Sequence, residues 1–167
     1  YLYEISPESF WQGHKNAPVT LINTAMDLMD LNIGDKVCDL YGGVGLFTMG
    51  ISERIGENGY VYLVESDDYA TNDARKIFKN HKNVLVRKGR VEKELPLVDS
   101  VDVILLDPPR NGAGSLVVDQ MVSKKPRTIV YVSCDPASLA RDTKLLLEND
   151  YSLDKIIAID LFPMTHH

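Results

Sequence analysis

The sequence predicts an α/β domain in which a parallel sheet carries helices on both faces. Short apolar runs alternate along the chain with longer segments of helical period, which is the pattern of successive βαβ units. A glycine-rich turn follows the first of these runs, and polar side chains directly follow several of the others. The 167 residues, of which 44% are hydrophobic and 25% charged, suit one domain with a core of its own.

The predicted elements follow one another in a regular order. A first helix is expected after Asn16, because Ile22, Ala25 and Met29 recur at helical spacing. Strands are predicted from residue 37 onward and over residues 61–65, 83–86, 101–106, 128–134 and 151–159. Helices are predicted from the glycine turn to about residue 55, after residue 67, and over residues 115–123 and 136–147, with a polar loop over residues 92–100. The strand and helix order favours parallel pairing.

The glycine turn after the first strand is typical of a nucleotide site. Gly43 and Gly45 let the backbone approach a ligand at the amino end of the next helix. A dinucleotide fingerprint would have glycine in place of Thr48, which disfavours NAD. The next strand ends at Glu65, about 20 residues after Gly45, where an acid accepts hydrogen bonds from ribose hydroxyls. We therefore predict an adenosine ligand, the alternative being an ordinary carboxylate at a strand end.

The strand over residues 101–106 runs into a stiff polar segment. Asp107 follows the strand at once, and Pro108 and Pro109 fix the backbone before Arg110. Both charged side chains are expected at the same sheet edge as Gly43 and Glu65. Taken alone, Asp-Pro-Pro is also common punctuation at the end of a strand.

The strand over residues 128–134 is predicted to be buried and to end on Cys134. Asp135 is a good N-cap and Pro136 suits the first helical position, so the thiol should lie between a strand's carboxyl end and a helix's amino end. In an open α/β sheet, ligands bind at that edge. The alternative is a buried structural thiol, which is the role we expect for Cys38.

Four motifs in this order resemble one known family. They are Phe10-Trp11-Gln12, Asp39-Leu40-Tyr41-Gly42-Gly43-Val44-Gly45, Leu106-Asp107-Pro108-Pro109-Arg110 and Val132-Ser133-Cys134-Asp135-Pro136, followed by a closing segment over residues 161–166. Together they look like the catalytic domain of the RNA 5-methyluridine methyltransferases, and the resemblance runs over almost the whole chain.

The resemblance implies a fold, a cofactor and roles for particular residues. The fold would be the Rossmann-like class I methyltransferase fold, and the methyl donor S-adenosyl-L-methionine. Gln12, Tyr41, Glu65 and Asp107 match cofactor-binding positions, and Cys134 matches the nucleophile that adds to uracil. The RNA would be tRNA or rRNA.

The resemblance also implies what would lie outside residues 1–167. Family members usually carry a nucleic-acid-binding domain before this one, often with an iron-sulfur cluster between the two. Their general base is a glutamate just after the final His-rich motif, beyond His167 here. Residues 1–167 are thus expected to be the catalytic domain of a longer chain, without the RNA-binding domain and the general base. The last, antiparallel strand that this class usually adds to the sheet would also lie beyond His167.

Composition excludes several other classes. No apolar run approaches the roughly 20 residues of a membrane span and no signal-peptide pattern opens the chain, so a cytoplasmic protein is expected. The two cysteines suggest free thiols rather than a disulfide framework, and no metal site is predicted. A net charge of −6 argues against broad electrostatic binding of nucleic acid by this segment. No protein partner is evident.

Two other functions remain open on the sequence alone. A methyltransferase for a small molecule or a protein would keep the glycine turn and Glu65 but would not need Cys134. A cofactor-binding segment without activity would result if the general base were missing. Exchange of Cys134 for another residue separates the first of these from RNA methylation, because only the uracil reaction depends on the thiol.

Overall fold

The computed structural model describes residues 3, 5–9 and 17–160 of the chain. Its helices and strands alternate as the sequence predicts. The helices are α1 (Ala17–Met29), α2 (Leu46–Ile55), α3 (Asp68–Ile77), α4 (Val91–Glu94), α5 (Ser115–Lys124) and α6 (Pro136–Leu147), with a 3₁₀ turn at Leu95–Leu97. The strands are β1 (Lys36–Leu40), β2 (Tyr60–Glu65), β3 (Val84–Lys88), β4 (Val103–Leu106) and β5 (Thr128–Tyr131). None of these helices is long and apolar enough to cross a bilayer.

The five strands form one parallel sheet in the order β3-β2-β1-β4-β5. From β1 the chain adds β2 and then β3 on one side of the sheet. It then crosses back and adds β4 and β5 on the other side of β1. The strand order therefore reverses between β1 and β4, which is the switch point where open α/β sheets bind ligands. All five carboxyl ends meet at the same edge because every pair is parallel.

Helices cover both faces of the sheet, as predicted. On one face, Val37 and Leu105 pack against buried residues of α1 and α2. On the other face, Ile104 and Leu106 pack against Met121 of α5 and its neighbours. Alternate residues of a strand point to opposite faces, so a strand covered on both sides reads as a continuous apolar run. This explains why β4 is buried at every position.

Three predictions of local structure are wrong. Residues 92–100 are not a plain polar loop, because α4 and the 3₁₀ turn bury Leu95 and Val98 against the sheet. The strand expected over residues 128–134 ends at Tyr131 and is buried only at Val130, since β5 is the edge of the described sheet. Residues 151–160 form no strand, and Ile156 is exposed. Apolar alternation supplies no hydrogen bonds by itself, and a strand needs a neighbour that pairs with its backbone.

Candidate active site

A cavity of about 200 Å³ opens at the carboxyl edge of the sheet, beside the switch point. Four segments form its walls. The ends of β1 and β2 contribute Tyr41, Val64, Glu65 and Ser66, the start of α4 contributes Gly89, Arg90, Val91 and Glu92, and the loop after β4 contributes Pro109, Asn111, Gly112 and Ala113. Polar groups thus converge on a concave site at the position where this class of sheet binds ligands.

Glu65 is held rigidly where β2 ends. One carboxylate oxygen accepts a hydrogen bond from the N–H of Gly43 at 3.0 Å. The other accepts from the N–H groups of Ser66 and Asp67, at 2.6 and 2.7 Å. A carboxylate offers about two acceptor positions on each oxygen, and the oxygen that faces Gly43 receives only that one bond, so it retains acceptor capacity beside the cavity. That arrangement fits the hydroxyl groups of a ribose.

The glycines of the turn serve different purposes. At Gly43 the backbone has a φ of +56° and a Cβ would meet nothing within 4 Å, so the turn is open there. At Gly45 a Cβ would lie 2.3 Å from the ring of Phe78, with a φ of +92°. Gly43 therefore allows close approach of a ligand to the backbone, whereas Gly45 allows α2 to pack against the end of α3.

Asp39 lies buried beneath the same turn. One of its oxygens accepts a hydrogen bond from the hydroxyl of Thr48 at 2.5 Å. The other oxygen has no hydrogen-bond partner among the described residues. Burial, opposed by hydrogen bonding to Thr48 and reinforced by the charges of Asp107 and Glu65, raises the pKa of Asp39 to about 7. The residue that breaks the dinucleotide fingerprint is thus the partner of a buried carboxyl group.

Tyr41 and Asp107 flank the end of β1. Tyr41 lines the cavity with a φ of +60°, an uncommon conformation for a residue other than glycine that is often found at functional sites. Burial raises its pKa to about 12. Asp107 donates its N–H to the carbonyl of Leu40 at 3.2 Å, and burial raises the pKa of its carboxyl group to about 6. Asp107 is not among the residues that line the cavity.

Cys134 is exposed at the amino end of α6, which confirms its predicted position between a strand and a helix. Asp135 turns its carboxylate to the helix and accepts from the N–H of Ser138 at 2.7 Å. The hydroxyl of Ser133 accepts from the N–H of Asp135 at 3.1 Å and closes the backbone around the cysteine. Hydrogen bonds from Ser138, aided by the charge of Arg110, lower the pKa of Asp135. The proline-rich loop and the cysteine turn are therefore close enough to interact.

The second cysteine has a different environment. Cys38 is fully buried in β1, as predicted for a core residue, and burial raises the pKa of its thiol to about 12. A thiol that stays protonated and shielded from solvent is inert. Of the two thiols, only that of Cys134 is exposed to solvent.

Sequence reasoning found some of these residues and missed others. Gln12 lies outside the described residues, so its predicted role stays a prediction. The side chains of Arg90 and Glu92 pair at 3.0 Å beside the cavity. Arg90 was expected to lie at a solvated strand end, and Glu92 was expected to lie in a polar loop. The signal for them was Gly89, which separates β3 from α4. No group of three or more histidine, cysteine or acidic residues within the described part of the chain is placed to hold a metal ion.

Solved structures show the same fold at low sequence identity. Fibrillarin from Aeropyrum pernix, whose structure holds natively bound S-adenosyl-L-methionine, superposes with a TM-score of 0.69 at 20% identity over 94% of this chain and 80% of its own. A precorrin-6y C5,15-methyltransferase from Geobacter metallireducens gives a TM-score of 0.71 at 14% identity, over 90% and 77%. The fold is that of the class I S-adenosylmethionine-dependent methyltransferases, as predicted.

Sequence comparisons find relatives that are named RNA methyltransferases. Residues 86–167 match the family described as tRNA (Uracil-5-)-methyltransferase. RNA methyltransferases from Streptomyces avermitilis and Bifidobacterium longum are 43% and 35% identical over 99% of this chain, which covers 39% and 40% of their own lengths. The chain is thus similar to RNA methyltransferases, as its motifs predicted, and spans about two fifths of the length of those relatives.

Proposed function

We propose that this chain is the catalytic domain of an enzyme that methylates C5 of uridine in tRNA or rRNA, with Cys134 as the nucleophile. The observation that carries the proposal is the exposed thiol of Cys134 at the amino end of α6, close to the sheet edge that holds the cavity. The match to a uracil-5-methyltransferase family supports the choice of reaction. A methyltransferase for another substrate would have no need of a thiol there.

The cavity suits S-adenosylmethionine. We assign the ribose hydroxyls to Glu65, whose carboxylate is already oriented by the N–H of Gly43. The open face of Gly43 leaves room for a ligand against the turn, and Tyr41 contributes an aromatic wall. Gly45 lets α2 pack against Phe78 below the turn, and Asp107 follows β4 at the same sheet edge. When bound, this cofactor supplies an electrophilic methyl group.

Uracil requires the help of a thiolate because its C5 is a poor nucleophile. Addition of the Cys134 sulfur to C6 moves the electron pair of the C5–C6 double bond toward O4, and C5 becomes nucleophilic. C5 then takes the methyl group, a base removes the C5 proton, and the bond between sulfur and C6 breaks as the double bond returns. The chain's own task is to present the thiolate at a fixed place beside the cavity.

The surroundings of Cys134 favour that task. The partial positive charge at the amino end of α6 stabilises an anion there. Asp135 would oppose it, but its carboxylate is bound to the helix through Ser138 and its charge is balanced in part by Arg110. Arg141 of α6 does not balance the charge of Asp135 in this way, because its guanidinium binds Asp142 instead.

The proposal is tested by the identity of the methylated base. Unmodified tRNA and unmodified rRNA are incubated separately with a chain that extends beyond His167 to the expected general base, together with a cofactor that carries a deuterated methyl group, and the nucleosides are analysed by mass spectrometry. We expect labelled 5-methyluridine from one RNA and none with the Cys134→Ser protein, while Cys38→Ser retains activity. Label on another nucleoside, or on a protein or small molecule only, would contradict the proposal, as would full activity of Cys134→Ser.

A further inference from the structure

A buried carboxylate on α6 joins the two halves of the candidate site. Asp142 has no solvent-exposed side-chain surface. One of its oxygens accepts hydrogen bonds from the hydroxyl of Tyr131 at 2.8 Å and from the N–H groups of Ala113 and Gly114 at 2.8 and 3.3 Å. The other accepts two bonds from the guanidinium of Arg141, at 3.0 and 2.8 Å. A carboxylate with five donors is fully satisfied, which is what burial of a charge requires.

The loop after β4 is packed directly against this carboxylate. Arg141 also donates to the carbonyl of Asn111 at 2.8 Å. Gly112 has a φ of +76°, and a Cβ there would lie 2.5 Å from the Asp142 carboxylate and 2.6 Å from the Arg141 guanidinium. The loop over residues 112–114 is therefore held in place although it contains two glycines. We call Asp142, Arg141 and Tyr131 the Asp142 clamp.

The two sides of the Asp142 clamp face different parts of the site. The loop residues that it holds, Asn111 to Ala113, form one wall of the cavity. Tyr131 is the last residue of β5, and Asp142 lies in α6, so the elements on either side of Cys134 are both bound to the same carboxylate.

We propose that Asp142 is a positioning residue that fixes the cavity wall relative to Cys134. The inference rests on the proposed function, because it concerns the distance between the methyl donor and the base attacked by the thiol. Burial alone would raise the pKa of Asp142, but the bonds from Arg141 and Tyr131 lower it, so the group is a carboxylate at neutral pH. A misplacement of about 1 Å, far from the reacting atoms, costs about a hundredfold in rate.

The Asp142→Asn variant keeps the shape of the side chain but replaces one acceptor oxygen with an NH₂ group. This group is a donor, and it faces the donors of either Arg141 or the loop. The matched control is Asp119→Asn, which removes an exposed charge from α5. Three quantities are measured: amide hydrogen exchange at Ala113 and Gly114, affinity for S-adenosylhomocysteine, and methyl transfer at saturating cofactor. If Asp142 only stabilised the fold, part of the variant protein would be unfolded. The amount of protein that binds S-adenosylhomocysteine and the rate of methyl transfer would then fall by the same factor.

We expect Asp142→Asn to exchange the two loop amides about tenfold faster and to lose about a hundredfold in methyl transfer, with cofactor affinity reduced less than about tenfold. Methyl transfer within about threefold of wild type would overturn the inference. If the Asp142→Asn variant does not fold, the Tyr131→Phe variant tests the inference instead, because it removes only the hydroxyl that donates to Asp142. A loss of about tenfold in transfer supports the clamp, and an unchanged rate contradicts it.

Failure of this inference is distinguishable from failure of the proposed function. If the wild-type protein does not methylate uridine, the proposed function fails, yet hydrogen exchange and S-adenosylhomocysteine binding still test the clamp. Faster exchange at Ala113 and Gly114 in Asp142→Asn would then support the link between α6 and the cavity wall. Unchanged exchange would exclude it whatever the reaction.

Discussion

Thr48 donates a hydrogen bond to Asp39 beneath the glycine turn, and the two oxygen atoms are 2.5 Å apart. This pair connects the first strand to the helix that follows the turn. Because the second oxygen of Asp39 is buried without a partner in the described residues, burial holds the pKa of the carboxyl group near 7. The foundation of the cofactor site is therefore a group that titrates close to neutral pH, and its ionisation has consequences for stability.

The stability of the fold is expected to depend on pH through Asp39. The unfolded pKa is about 3.9, so the folded state binds the proton more tightly between about pH 4 and pH 7. The contribution of Asp39 is fully present below about pH 4 and is lost as pH rises through about 7. Denaturant unfolding of wild type and of the Asp39→Asn variant should be measured across this range. As pH rises, the unfolding free energy of the variant should increase relative to that of wild type. A difference that is independent of pH would contradict the raised pKa.

Asp73 of α3 is expected to show the opposite dependence. Its buried carboxylate accepts hydrogen bonds from Ser6 and Ser9 of the N-terminal segment, and the N–H of Ser6 is 2.6 Å away. Burial alone would raise the pKa of Asp73, but these bonds, together with one from Lys76, hold it well below its usual value. Its stabilising contribution is thus present above about pH 4 and lost on acidification.

The variant Asp73→Asn is expected to cost about 1 to 3 kcal/mol of unfolding free energy at pH 7. The difference from wild type should shrink as pH falls below about 4, because the unfolded chain then binds a proton at Asp73 that the native carboxylate, with its lowered pKa, does not yet bind. Urea titrations at several pH values measure it, with Asp27→Asn on the exposed face of α1 as the control. A constant difference down to pH 2 would indicate that Asp73 acts by packing alone.

Two glycines of the turn are expected to separate folding from cofactor binding. Gly45→Ala places a methyl group 2.3 Å from Phe78 and should destabilise the fold by about 2 to 4 kcal/mol. Gly43→Ala meets open space, so its cost in stability is only that of the left-handed backbone, about 1 to 2 kcal/mol. Its methyl group should instead hinder the ligand. Thermal unfolding and calorimetry with S-adenosylhomocysteine should rank the two variants in opposite order.

Glu65 is expected to be the main polar contact for the ribose. Glu65→Gln should weaken S-adenosylhomocysteine binding by about 1 to 3 kcal/mol, because the hydroxyls lose a charged acceptor and the N–H groups around it lose part of their partner. The control is Glu57→Gln in an exposed turn. Calorimetry with NAD in parallel tests the class of ligand. An effect below a few tenths of a kcal/mol, or tight NAD binding, would place the cofactor elsewhere.

Patterns of local sequence were sufficient for most of the fold. Apolar runs located β1 to β4, and Asp67 and Asp135 both cap the helices that their side chains predicted. Glu65 was identified from its spacing of about 20 residues after the glycine turn, which is the length of the helix and strand that follow such a turn. Such features depend on neighbours in the chain, which a single sequence displays directly.

Features that depend on distant partners were not predictable in the same way. The helical period indicates that Asp142 faces inward, but not that it meets the N–H of Ala113, which comes from a different loop. Arg90 and Glu92 lack an apolar pattern that would mark them as cavity residues. The alternating residues after Tyr151 suggested a strand, yet pairing depends on a neighbour that no local pattern reveals.

Covalent trapping on Cys134 tests the central claim most directly. RNA that contains 5-fluorouridine is incubated with the protein, with and without S-adenosylmethionine, and the protein is digested and mapped by mass spectrometry. After sulfur adds to C6 and the methyl group reaches C5, fluorine cannot leave as a proton, so the bond to the enzyme persists. We predict a cofactor-dependent, methylated RNA adduct on the peptide that contains Cys134 and its loss in Cys134→Ser. An adduct on Cys38, or one that survives in Cys134→Ser, would contradict the mechanism.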